Sequence, residues 1–141
     1  MSDERLTLRI ANDLAELARV AAKIDEFCMA QGISADCNFK LNVALEELLT
    51  NTISYGYDDE RAHEIALVVA RDGDEIVAEL SDDGRPFDPL QARPPDLDSP
   101  IEERRIGGLG VHLVKTLMDK VDYVHRDGRN RVTLRKRITP K

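Results

Sequence analysis

The stretch that most constrains this chain is residues 40–57, KLNVALEELLTNTISYGY. At roughly 100° per residue, Leu41, Ala44, Leu45, Leu48, Leu49 and Thr52 share one broad side, so the segment reads as a long helix lying against a core. Glu47 and Asn51, spaced i, i+4, stack one turn apart at the margin of that face. Glu46 points roughly 100° away from Glu47, toward solvent. A carboxylate and a carboxamide are thereby presented together. The amide oxygen suits a hard cation such as Mg²⁺, which fills the rest of its shell with phosphate oxygens and water. A Glu one turn away can accept a proton from a nucleophile. Taken alone, the pair fits two ordinary polar residues beside a buried face better.

The rest of the chain gives that helix a core to lie on. With 141 residues, 42% hydrophobic and 33% charged, one domain can bury a core without disulfides or metal. A formal net charge of −7 argues against general nucleic-acid binding, which needs a cationic surface to displace counterions. The C-terminal RDGRNRVTLRKRITPK is nevertheless strongly basic. It reads first as a solvated hairpin and tail, and second as a surface for an acidic protein or an anionic ligand. Cys28 and Cys37 lie in helical stretches without CxxC spacing, which predicts reduced, buried or half-buried thiols. No segment reads as a signal peptide or reaches membrane-spanning length, so the expectation is a cytoplasmic protein with no membrane partner.

Leu6, Leu8 and Ile10 alternate with polar residues, as in a half-buried strand. Asn12 or Asp13 then caps a helix, with Glu16 completing a capping-box pattern. Leu14, Leu17, Ala18, Ala21, Ile24 and Cys28 are its expected inward stripe, and Gly32 its end. Ser34 and Asp36 open the long helix and Gly56 closes it. The period then changes to two: Ile65, Leu67, Val69 and Ile76, Ala78, Leu80 flank a hairpin turn expected at Asp72-Gly73. Residues 89–105 hold four prolines and no periodicity, a long loop of the kind that forms lids and binding segments. A glycine cluster next feeds a helix with Val111, Val114, Leu117 and Met118 inward. Val121 to His125, a turn at Asp127-Gly128, and Val132 and Leu134 make a last hairpin. Strand, helix, helix, hairpin, loop, helix, hairpin predicts an α/β two-layer sandwich, with helices on one face of a mostly antiparallel mixed sheet.

Two further clusters carry polar chemistry. In Asp82-Asp83-Gly84-Arg85-Pro86-Phe87-Asp88-Pro89, an Asp at the end of a core strand is followed by a Gly that admits close approach. Such an Asp can accept a hydrogen bond from a buried amino group, as adenine offers, although an isolated DDG fits an acidic turn ending a hairpin strand better. Gly107-Gly108-Leu109-Gly110 leads into a helix, whose free N–H groups form an anion site. It is neither a Walker loop, since Val111-His112 follow Gly110, nor a dinucleotide fingerprint, since no strand immediately precedes it. His63, His112 and His125 lack metal-ligand spacing, and Ser54 lacks the partners of a triad.

In this order the clusters match one family across nearly the whole chain. EELLTN resembles the asparagine box, DDGRPFDP the first glycine box and IGGLGVHLVK the second glycine box of the Bergerat-type (GHKL) ATP-binding fold, shared by gyrase B, MutL and histidine kinases. The forms here look most like the small bacterial anti-sigma factor serine/threonine kinases. The resemblance implies ATP and Mg²⁺ bound between the long helix and a lid at residues 90–106, within one domain spanning 1–141. Carried over by position, Asn51 is the Mg²⁺ ligand, Glu47 the catalytic base and Asp82 the adenine reader. Gly84, Pro86 and Phe87 would border the base pocket, and Gly107, Gly108, Leu109, Gly110 and Val111 the phosphates. Pro86 replaces the second glycine of the first box. At 141 residues the expectation is a stand-alone ATP-binding unit, without the phosphoacceptor or transducer domains of the larger relatives.

The resemblance implies a kinase that phosphorylates a small anti-anti-sigma (STAS-type) protein and otherwise sequesters a sigma factor, working as a homodimer. A nucleotide-dependent partner-binding module without phosphoryl transfer is the alternative, and a slow ATPase switch a third reading. Glu47 beside Asn51 favours chemistry, because a pure binder needs no base.

Overall fold

The computed structural model describes residues 5–57, 61–86 and 108–139, with the side chains of 108–112 excepted. The expected lid at 90–106, Phe87 and Gly107 lie outside the described residues. The element order is β1 (Arg5–Ala11), α1 (Leu17–Ala30), α2 (Ala35–Tyr55), β2 (Glu64–Asp72), β3 (Glu75–Asp82), α3 (Gly108–Leu117), β4 (Lys120–Arg126) and β5 (Arg129–Arg137). The strands form one sheet in the order β1-β2-β3-β5-β4. All four pairings are antiparallel, so among the described residues the sheet is not mixed.

Alternation along the strands builds the layers. Leu8 and Ile10, then Ile65, Leu67 and Val69, then Ile76, Ala78 and Leu80, then Val132 and Leu134 are buried while their neighbours are exposed or half-buried. This row meets Leu41, Ala44, Leu45, Leu48 and Leu49 of α2 and Val114 and Met118 of α3 in a single core. Truncating one of these leucines to Ala costs about 2–5 kcal/mol. Cys28 and Cys37 are buried and unbridged, and burial pushes the Cys28 thiol up to about 11.

Two local expectations shift. The buried face of α1 is Val20, Ile24, Phe27 and Cys28, whereas Leu14 is 50% exposed and Ala18 lies outward. The reason is a single 3₁₀ turn, Leu14–Glu16, which rotates the chain before the α-helix begins. The first hairpin turns at Gly73-Asp74, since Asp72 still pairs with Glu75, and Gly73 takes the left-handed conformation (φ +62°). The last hairpin turns at Asp127-Gly128, both with positive φ, as a type I′ turn requires.

Asp13 accepts the Ala15 N–H, and Glu16 reaches back to the Ala11 N–H at 3.0 Å while receiving two bonds from Arg19. Arg19, and secondly the Ala11 amide, lower the Glu16 carboxyl from its ordinary 4.5 to about 2. A depressed carboxyl stabilises the fold above its unfolded value, and that contribution disappears as pH falls through the folded value. Glu16→Gln should therefore lower the melting temperature slightly at pH 7, with the gap to wild type closing between pH 4.5 and about 2. A gap independent of pH would remove the carboxylate as its cause.

Candidate functional site

The inward rows of β3 and β5 end on a polar pair. Ile76, Ala78 and Leu80 lead by twos to Asp82, and Leu134 and Val132 lead back by twos to Asn130, its direct cross-strand partner. These two are the buried polar residues among those described, at 6% and 5% exposure. Asp82 Oδ1 accepts the Gly84 N–H at 2.8 Å and the Asn130 Nδ2 amide at 3.0 Å. The same amide nitrogen donates to the carbonyls of Gly84, at 3.2 Å, and Arg85, at 2.9 Å, and Tyr123 donates its hydroxyl to Asn130 Oδ1. Among the described residues Asp82 Oδ2 accepts no hydrogen bond, so one carboxylate oxygen remains for a donor from outside.

The turn after Asp82 is joined to the C-terminal end of α2. Arg85 N–H donates to the Gly56 carbonyl at 2.7 Å, and the Arg85 guanidinium donates to the Tyr55 carbonyl. A cation thus meets the negative end of the helix dipole. Gly84 allows the approach, because a Cβ there would sit 2.6 Å from the Gly56 oxygen and 3.0 Å from Asp82 Oδ1. Gly84→Ala must push the turn off the helix. We expect a loss of about 1–3 kcal/mol of stability, as for overpacking elsewhere, together with weakened ligand binding. A variant as stable as wild type in a thermal melt would show that the joint yields freely.

One turn structure further up α2, Glu47 and Asn51 are both half-buried, and Glu46 is exposed. Asn51 Nδ2 is buried without a hydrogen-bond partner among the described residues. A buried polar atom left this way costs about 1–3 kcal/mol, so the carboxamide suits a ligand that completes its bonding, such as a phosphate–cation unit. No cluster of His, Cys, Asp and Glu among the described residues could hold a metal alone. A Mg²⁺ sharing one amide oxygen with phosphates needs none.

Beyond α2, the Tyr57 hydroxyl is likewise buried without a partner, and its ring stacks on His63 at 4.1 Å and 13°. Burial, followed by the Asp82 and Asp83 carboxylates, raises the Tyr57 phenol above its ordinary range, so it stays a neutral donor. His63 Nδ1 approaches Asp83 Oδ1 to 3.2 Å, tying the start of β2 to the same turn.

The fold thus brings Asp82 and Gly84 against the end of the helix that carries Glu47 and Asn51. Pro86 is exposed. Gly108, Leu109, Gly110 and Val111 lie in α3 itself, where the first free N–H groups of a helix sit. Asn130, Tyr123 and the joint through Arg85 and Gly56 are what sequence reasoning missed. A signal for Asn130 existed: it keeps the period of Val132 and Leu134, which places an amide on the inward face of the last hairpin.

Residues 10–136 match the histidine kinase-like ATPase domain, and the chain belongs to that family. Several relatives carry the name of kinases. A serine/threonine-protein kinase of Bordetella bronchiseptica, BtrW, is 26% identical over 140 residues, 99% of each chain. The serine-protein kinase RsbW of Listeria monocytogenes is 33% identical over 102 residues, 69% of this chain and 64% of that one. Among solved structures, the RsbU and RsbW domains of a Mycobacterium tuberculosis protein superpose on 95% of this chain and 32% of theirs, with a TM-score of 0.70 at 17% identity. By this kinship the chain joins the histidine kinase-like ATPase family, beside relatives that are named as protein serine/threonine kinases.

Proposed function

We propose that this chain binds ATP·Mg²⁺ and transfers its terminal phosphate to a serine or threonine of a small anti-anti-sigma (STAS-type) protein, and holds a sigma factor when that partner is not engaged. The observation that carries the nucleotide reading is the buried Asp82 with one carboxylate oxygen unclaimed, on a turn joined to the helix of Glu47 and Asn51. Oδ2 would accept the exocyclic amine of adenine. Asn51 would hold Mg²⁺ through its amide oxygen, and the start of α3, with Gly108 and Gly110, would face the phosphates. When bound, the metal neutralises charge on the phosphates during transfer. Glu47 would take the proton of the attacking hydroxyl.

Incubation with labelled ATP and Mg²⁺ beside anti-anti-sigma-like proteins encoded near it tests the proposal directly. Label on a partner serine or threonine, lost together with Mg²⁺-dependent nucleotide binding in Asn51→Ala, is the expected result. A partner that binds only with nucleotide, yet never acquires label, would make the chain a nucleotide-dependent binding module instead.

A further inference from the structure

We propose that Asn130, held by Tyr123, is the positioning residue that makes Asp82 choose a 6-aminopurine over a 6-oxopurine. The inference rests on the nucleotide reading above and goes beyond it, because Asn130 carries no part of that reading.

The amide of Asn130 can face only one way. Its Nδ2 meets three acceptors: Asp82 Oδ1 at 3.0 Å, the Gly84 carbonyl at 3.2 Å and the Arg85 carbonyl at 2.9 Å. A flipped amide would turn its oxygen toward three oxygens and its nitrogen toward the Tyr123 hydroxyl, which now donates to Oδ1. Two amide hydrogens shared among three acceptors leave none for a ligand, so Asn130 offers the base no donor. It acts through Asp82. Together with the Gly84 N–H at 2.8 Å it claims Oδ1 and thereby fixes the carboxylate plane, leaving Oδ2 as the oxygen that meets the ligand.

A carboxylate oxygen held in place binds an amine and faces the lone pairs of a 6-oxo group unfavourably. A carboxylate free to rotate, or to recruit a bridging water, discriminates less. The choice of base is thus set through Asp82 by a residue on the neighbouring strand. Asn130 achieves this from β5, opposite Asp82 in register, and Tyr123 supports it from β4.

Titration calorimetry with ADP and with inosine diphosphate, in Mg²⁺, tests the assignment. Wild type should prefer ADP, and Asn130→Ala should shrink that preference by at least about tenfold, the equivalent of one matched hydrogen bond. Tyr123→Phe keeps the ring in place and should move the ratio the same way by a smaller factor, which preserves the test if Asn130→Ala folds poorly. Asn130→Asp adds a pH readout. The introduced carboxyl would face Asp82 Oδ1 and two carbonyls, and can donate only when protonated, so ADP affinity should recover as pH falls toward 5 in this variant and not in wild type.

Equal weakening of ADP and inosine diphosphate in Asn130→Ala and Tyr123→Phe, with no pH recovery in Asn130→Asp, would make Asn130 merely structural and overturn the inference while the nucleotide reading stands. A wild-type protein that binds no ADP would overturn both.

Discussion

Asp82→Asn is expected to abolish or severely weaken ATP binding while the protein melts near its wild-type temperature. The asymmetry follows from the two oxygens of the native carboxylate. An amide oxygen at the Oδ1 position still accepts the Gly84 N–H and the Asn130 amide, so the turn keeps its bonds. The amide nitrogen then takes the place of Oδ2 and points a donor at the donor of the base. Leaving a buried amine unpaired costs about 1–3 kcal/mol, and two opposed donors add repulsion to that. Calorimetric titration with ATP reads the loss. An unchanged affinity would take Asp82 out of the site altogether.

Glu47→Gln should separate chemistry from binding. Gln keeps the length and hydrogen-bonding reach of Glu but cannot accept a proton, so nucleotide affinity should change little. Phosphoryl transfer is mostly positioning and charge stabilisation, with a base orienting the hydroxyl. Transfer to a partner serine should fall by roughly 10²- to 10⁴-fold, the usual contribution of a general base. Glu46→Gln, on the exposed side of the same helix, serves as the control and should be nearly silent. Single-turnover transfer at the wild-type rate in Glu47→Gln would show that the proton leaves by another route.

Most of the fold was legible in the sequence because its elements announce themselves locally. The period of α2, its Ser34 cap and its end at Gly56 are all read from neighbours within one turn, and each is where the structure has it. The misreadings came from geometry that local pattern does not encode. A 3₁₀ turn of three residues rotated the face of α1, and the glycine that takes positive φ moved the first hairpin turn by one position. The site divides in the same way. Asp82 and Gly84 stand in a contiguous motif, and Glu47 and Asn51 share a helix edge, so spacing made them candidates and the family resemblance gave them roles. Asn130 and Tyr123 act across strands, 48 positions from Asp82 in the first case. Only the sheet register, in which β5 comes to lie between β3 and β4, makes them neighbours.

The joint between α2 and the Asp82 turn is made with the carbonyl oxygens of Tyr55 and Gly56. Every residue type supplies a carbonyl, so substitutions at position 55 leave its acceptor in place. The span from the Asp82 turn to Glu47 is therefore written in main chain, about 1.5 Å for each helical residue between them, and side chains along α2 can drift without changing it. What evolution can alter cheaply is the exposed side of α2; what it cannot alter cheaply is the distance from the Asp82 turn to Glu47.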